Sequence, residues 1–430
     1  MLQQRHRVPA SAGVAPYSAL PRNEAPTLRG TRFRVSAPQL KRWLPWAILA
    51  LIVLLIVWRM LYLGTVSERF NAAFFARAAI DSVKLGSLYA LIALGYTMVY
   101  GIIRLINFAH GEVFMVGAFA TYFLFTITPY SLPGGIALAI VMTYAAMRVT
   151  ELFRGSMRDP LVLGVGVVGF VGLTWALTSF TWPFWAALVG SMLATGVLGL
   201  SIDRVAYVPL RTAPRNSLLI TAIAVSFLLQ NVGLLAFTNR QTPFRPDTPL
   251  NDPFTLIVAG QPVLTNNLLV AIPVITLVLV MALTTFVTKS RLGKAMRASA
   301  QDAEVAQMMG VSVNKVIATT FLLGSILAAA GGAMWGLNFG SLNQPATLGI
   351  LPGIKAFAAA VIGGIGSLPG AVIGAMIIGF SENFMSALFP RTPTFQGVTE
   401  FKDTFAFVLL IIVLLVRPSG IVGEDLSEKV

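Results

Sequence analysis

Apolar residues run through this chain in blocks rather than in alternation. Stretches dominated by Leu, Ile, Val, Ala, Phe and Gly cover 43–63, 80–101, 107–127, 133–148, 161–181, 183–202, 217–237, 267–288, 314–336, 353–365, 371–389 and 401–417. Most are long enough to cross roughly 30 Å of hydrocarbon as a helix. Their continuity excludes a barrel, whose strands alternate polar and apolar residues over about ten positions. The pattern predicts an all-α polytopic membrane protein with about 10–12 spans. The runs 133–148 and 353–365 are short, so tilted, broken or re-entrant helices are expected there.

Composition agrees. The chain is 56% hydrophobic and 11% charged, against about a quarter charged in soluble domains. Residues 1–42 stand apart. They hold eight Lys or Arg and a single acid, Glu24, with no apolar period. This reads as a disordered cytoplasmic tail, not a signal peptide, because the apolar run begins too late. The net charge of +14 would suggest nucleic acid in a soluble protein. Here it orders the topology, and no nucleic-acid partner is expected. With the N-terminus inside and the spans alternating, the inside segments hold 22 basic residues and the outside segments 6, as the positive-inside rule requires.

The chain divides into the tail, an extra N-terminal span and linker at 43–75, and a transmembrane domain at 76–430. An inserted pair of spans at about 130–181, joined by the basic loop "RVTELFRGSMRDP", leaves the later topology unchanged.

Candidate chemistry is sparse. There are no cysteines, so thiolate metal sites and Cys nucleophiles are excluded. No carboxylate pair, Ser–His–Asp set or HExxH occurs, and no phosphate-binding loop: the one Gly-Lys pair, Gly293-Lys294, is followed by Ala295. The chain reads as a non-enzyme without a cofactor, a metal or an ATP site of its own.

Four features remain. The loop "KSRLGKAMRASAQDAEVAQMMGVSV" (289–313) predicts an amphipathic helix over 295–309. Met296, Ala300, Ala303 and Met308 or Met309 would form its apolar face, with Gly310 as C-cap. It suits either a docking element for a cytosolic partner or a helix lying on the headgroups. Gly332, Gly336 and Gly340, and likewise Gly370 and Gly374, recur every four residues and predict close helix packing. "GGIGSLPG" (363–370), with Gly363, Gly364, Gly366 and Pro369, cannot hold a regular helix. It is a surface turn or a broken helix beside a pathway. Finally, "NFAHGE" (107–112) puts Asn107, His110, Gly111 and Glu112 at the cytoplasmic edge of a span. Asn107 is expected to cap the helix and Glu112 to suit its dipole. His110 lacks the partners a metal needs, which leaves a structural break or a proton relay. Lys355 and Glu382 fall near span ends, where snorkelling explains them.

These stretches resemble a known family. "EVAQMMG" (304–310) is similar to the EAA–xxx–G element of ABC-importer permeases, although Val305 replaces the middle Ala and the later Ile and Leu-Pro are missing. "GSLYALIALGYTMVYGIIRLINFAHGEVFMVGA" (86–118), "DRVAYVPLR" (203–211), "SRLGKAMRASAQDAEVAQMMGV" (290–311), "GIKAFAAAVIGGIGSLPGAVIGAMIIGFSE" (353–382) and "LLIIVLLVRPSGIVG" (409–423) resemble branched-chain amino acid permeases of the LivH type. The resemblance covers about 76–130 and 182–430 and omits the tail, the first span and the insertion.

It implies a helical ABC-importer permease bundle in a bacterial inner membrane, carrying Leu, Ile or Val by alternating access. The implied partners are a LivM-type second permease, two cytosolic ATPases that hold the ATP and magnesium, and a periplasmic amino-acid-binding protein. Coupling to the ATPases would fall on Ala300, Asp302, Glu304, Ala306 and Gly310. The urea and short-amide branch of the family shares the Asn–x–Ala–His–Gly–Glu element and stays open as a rival, though "GYTMVYGIIRLINFAHGEVFM" is closer to the amino-acid branch. An ATP-independent secondary transporter would need intramembrane charges or an internal repeat, and no clear repeat is visible in the sequence.

Overall fold

A computed structural model describes residues 51, 54–126, 136, 139, 140, 143, 147, 160–179, 181–211, 213–237, 239–391, 397–398 and 401–423. The tail 1–42 and most of the run 133–148 lie outside the described residues. By packing, the chain divides at Val57/Trp58, and the helix bundle belongs to the second unit, residues 58–430.

The helices are α1 (Ala72–Ile103), α2 (His110–Phe125), α3 (Pro160–Ser179), α4 (Phe184–Ile202), α5 (Arg215–Ala236), α6 (Leu268–Lys289), α7 (Arg291–Gln301), α8 (Ala303–Met308), α9 (Val313–Phe339), α10 (Pro345–Leu348), α11 (Ile350–Gly363), α12 (Leu368–Leu388) and α13 (Lys402–Val416). Seven of the described helices are long and apolar enough to cross a membrane. The apolar blocks from 80 onward, 133–148 aside, each fall on a helix. Two features break the simple reading. The predicted helix 295–309 is two helices, because Asp302 leaves helical geometry (φ −153°) and its side chain accepts from the amides of Glu304 and Val305, capping α8. The loop between α5 and α6 holds an antiparallel hairpin that the apolar pattern does not show. It consists of β2 (Pro253–Val258) and β3 (Gln261–Asn266), with β1 (Thr242–Pro243) pairing on β4 (Ser341–Leu342) beside it.

α1 and α9 form the enclosed centre, and α5 and α6 lie at the periphery. The core is built of α1, α2, α9 and α12 around Tyr89, Phe114, Phe119 and Phe321. Small residues allow the close approach that packing in lipid requires. A Cβ at Gly332 would lie 2.5 Å from the Phe114 carbonyl oxygen, and one at Gly374 would lie 2.0 Å from that of Ala359. Gly340 instead ends α9 in the left-handed region, at φ 66°.

Contacts sort the connections onto two ends. The hairpin end gathers Asn71, bonded to Gln261, and the β1–β4 pair. The loop end gathers Arg211, bonded to Asn314, and the C-terminal segment, whose Ile421 and Val422 amides donate to the Ile362 and Gly363 carbonyls. This is the alternation read from the apolar blocks. It also shows an order hidden in the sequence. α1 runs toward the loop end, ends in the left-handed region at Arg104 (φ 54°) and is followed by non-helical 104–109 and the short α2. α9 runs the opposite way and is followed by non-helical 340–344 and then α10 and α11. The two long spans thus run in opposite directions, and each is followed by non-helical backbone and a shorter helix.

Candidate functional site: a cavity at the start of a broken span

His110 packs against Gly95 and Gly324 and donates to the Ile92 carbonyl. Ile92 lies eleven residues before the end of α1, and Gly324 eleven after the start of α9. At the rise of an α-helix that is about 16 Å from the loop end, near the middle of a bilayer. α2 therefore starts at mid-depth, not at the membrane edge as the apolar block suggests. Residues 104–109 climb to it in non-helical form, and backbone of this kind is tolerated only where protein encloses it. Leu105, Asn107 and Ala109 are indeed buried.

Asn107 does not cap α2. The helix has no side-chain cap, and Asn107 Oδ1 accepts from the Tyr207 hydroxyl at 2.9 Å. The sequence reading missed this tyrosine. It sits in a π-helical turn, Asp203–Tyr207, at the end of α4. There Asp203, fully buried, pairs with Arg211 at 2.6 Å. This explains the stretch "DRVAYVPLR": it is a knuckle tying α4 to the re-entrant chain and, through Arg211 and Asn314, to the start of α9.

Glu112 does stand in the first turn of α2. It is 1% exposed. Its Oε1 accepts from Gln230 Nε2 at 2.8 Å and from Ser226 Oγ at 3.2 Å, both on α5. Its Oε2 has no partner among the described residues and points at the Cα of Gly349, where a Cβ would lie 2.0 Å away. Gly111 meets Gly353 in the same way, and its amide donates to the Tyr96 hydroxyl. A cavity of about 170 Å³ opens here, lined by Tyr96, Gly111, Glu112, Ser226, Gln230, Gly349 and Gly353 and by the apolar Phe108, Phe227, Ile354 and Phe357. Ser226 and Gln230, one helical turn apart on α5, are the residues sequence reasoning did not connect with Glu112. His110 is not part of this lining; its ring stands edge-on to Tyr96, 4.9 Å between centroids.

Gly363, Gly364, Gly366 and Pro369 do not line the cavity. They form the turn between α11 and α12. Gly364 and Gly366 are at φ 107° and 99°, Ser367 caps α12 and Pro369 stands in its first turn. The C-terminal segment covers this turn. Lys355 and Glu382 do not snorkel. Each is 4% exposed, and they pair at 2.6 Å. Lys355 also reaches Asp403 at 2.6 Å, and Tyr89 donates to Glu382 at 2.8 Å. A second, polar cavity of about 520 Å³ lies toward the hairpin end, lined by Arg77, Asp81, Lys84, Asn266, Glu382 and Lys402 among others.

In the loop between α6 and α9, the predicted single apolar face is divided. Met296 and Ala306 are buried and Ala300 and Ala303 partly so, whereas Met308 and Met309 are 84% and 80% exposed. Ala306 therefore faces the bundle and is closed to a partner. Asp302, Glu304 and Gly310 are exposed. Gly310, at φ 84°, ends α8: its amide donates to Gln307 and that of Val311 to Ala306. This is the Schellman arrangement, as the sequence predicts.

The family model described as "Branched-chain amino acid transport system / permease component" matches residues 78–159 and 161–414. The chain belongs to this permease family. It is 36% identical over 360 residues to the high-affinity branched-chain amino acid transport system permease protein BraD of Pseudomonas aeruginosa, covering 83% of this chain and 98% of BraD. It is 37% identical over 373 residues to LivH of Escherichia coli K12, covering 85% of this chain and all of LivH. A guanosine ABC transporter permease protein of Bacillus subtilis, NupP, is 26% identical over 353 residues, covering 80% and 92%. No solved structure matches. The permease family and the helical membrane-spanning fold are thus the ones the sequence motifs predict.

Proposed function

We propose that this permease is one membrane subunit of an ATP-driven importer of branched-chain amino acids, Leu, Ile and Val, with other amino acids within its range. The observation that carries the reading is the match to BraD and LivH along nearly their whole lengths. The assembly would comprise a LivM-type second permease, two cytosolic ATPases and a periplasmic binding protein, in a bacterial inner membrane. The basic loops, and with them the N-terminus, would face the cytoplasm.

In this reading the chain is a path and not a catalyst. ATP and magnesium belong to the ATPases, whose closure moves the loop 290–311. α7 and α8 transmit that motion to α6 and α9, and the bundle alternates between open faces. Val305, Met308 and Met309 supply the exposed apolar surface for the ATPase contact, with Asp302 and Glu304 beside them. Each change of state draws on the differential binding of ATP and of the loaded binding protein.

The test is uptake of labelled leucine into proteoliposomes. Uptake is expected only when the second permease, both ATPases, the binding protein and ATP are all present. Leucine uptake by this chain alone would overturn the proposal.

A further inference from the structure

We infer that Glu112, oriented by Ser226 and Gln230, is the subsite that receives the ammonium group of an amino acid crossing the membrane. The inference rests on the import reading above and names the group of the cargo that this chain recognises.

Three observations converge. First, the carboxylate is held but incompletely satisfied. Oε1 takes two hydrogen bonds from α5, and Oε2 takes none. An ionised carboxylate offers about four acceptor sites, and a buried acceptor left unpaired is costly. The described residues give Glu112 no basic partner. An ammonium, with three donors and the opposite charge, is the chemistry that completes it.

Second, the position suits cargo. Glu112 lies at mid-depth, where the start of α2 meets Gly349 and Gly353 at the start of α11. Discontinuous helices at such a junction are where transport folds place polar contacts to substrate. An ionisable residue at this depth is costly unless it is used. Gly111, Gly349 and Gly353 keep this junction free of side chains, so that backbone and carboxylate come within contact distance of each other.

Third, the rest of the lining is apolar. Phe108, Ile223, Phe227, Ile350, Ile354 and Phe357 surround the polar point. Such a cavity accepts an aliphatic side chain and offers little to the hydroxyls of a sugar or nucleoside. Phe227 and Ile354 are exposed at its rim, so the cavity opens between α5 and α11. Together these features describe an aliphatic amine recognised by its charge at one end and its hydrocarbon at the other.

The test uses the assembled wild-type complex in detergent and a leucine analogue carrying a diazirine on its side chain. After photolysis, labelled residues are mapped by mass spectrometry. Label is expected on α2, α5 or α11 near Phe108, Phe227 or Phe357. L-Leucine should displace it about tenfold or more better than isocaproate, the same carbon skeleton without the amine, since one charge-assisted hydrogen bond is at stake. Equal displacement by the two, or no label around the cavity, overturns the inference. Glu112→Gln is expected to lower the labelling about tenfold, and full labelling in that variant overturns the inference as well. If the variant does not fold, the competition in the wild-type complex decides alone. ATP-dependent uptake is measured in parallel. Amine-selective labelling without uptake overturns the import reading and keeps this one. Uptake with labelling indifferent to the amine does the reverse.

Discussion

Removing the ammonium of Lys355 would take from Glu382 the basic group it is paired with. The two are 27 residues apart in sequence and 2.6 Å apart in space, joining α11 to α12, with Asp403 bringing in α13 and Tyr89 bringing in α1. Breaking one partner of a buried pair costs about 3–5 kcal/mol, because the survivor stays charged and desolvated. Asp403 is 39% exposed, so its share of that cost is screened by solvent. Lys355→Met is therefore expected to lower the melting temperature of the purified complex and its yield in membranes. Lys355→Met combined with Glu382→Gln should recover most of the loss, because the one charge left without Lys355, on Asp403, is 39% exposed and screened by solvent. A melting temperature unchanged in the single variant would show that the pair holds nothing together.

At the scale of the element, the loop between α6 and α9 separates a buried half from an exposed half, and the import reading makes the exposed half the docking surface. Ser290 caps α7 by accepting from Gly293, Arg297 bonds back to the Val287 carbonyl, and Met296 and Ala306 are buried. Met308 and Met309 project away from the bundle. Changing both to Glu should leave the melting of the isolated chain unaltered and reduce co-purification of the ATPases about tenfold or more, the usual loss when an exposed apolar anchor is charged. Undiminished co-purification would place the docking surface elsewhere. Gly310→Ala is expected to do less. Nothing lies within 4 Å of a Cβ there, so its only cost is the left-handed backbone, about 1–2 kcal/mol.

The spans themselves were legible in the sequence, because a run of some twenty apolar residues has few uses other than crossing a membrane. The depth at which α2 begins was not. Residues 107–109 are non-helical, and the Asn107 side chain that could have capped α2 is taken by Tyr207, a hundred residues away in sequence. Glu112 was legible as an oddity, but its partners Ser226 and Gln230 were not, because they read as ordinary polar positions on the apolar α5. The helix predicted over 295–309 failed at Asp302 for a local reason: an Asp can cap a following helix as readily as continue one.

Across the whole molecule, the packing of the described residues forms one main apolar cluster and one small one. Among the described residues, the main cluster links α1, α2, α4 to α6, α9, α11 and α12 and draws none from α3. A small second cluster, Ala120, Leu124, Ala139, Ala187 and Ala194, with Phe125, Phe170 and Trp182 against it, is what joins α3 and the described positions before it to α2 and α4. Ala139 and Phe170 are the contributions of the inserted stretch, and much of the described α3 surface, including Val167, Val168 and Val171, is exposed. Among the described residues this contact is small beside the main cluster. We propose on this ground that 130–181 is an embellishment of the permease. With 130–181 read from its apolar pattern as a pair of spans, excising it would leave every later segment on its original side. A chain lacking 130–181, with a short polar linker in its place, is expected to insert, to assemble with the ATPases and to support leucine uptake within about threefold of the full chain, the range left by losing a small peripheral contact. Protease accessibility of the loop 290–311 on the cytoplasmic side would check the orientation in the same preparation. Loss of uptake with assembly intact would mean that the inserted pair lines or gates the path, and the boundary between core and attachment would have to be redrawn through α3.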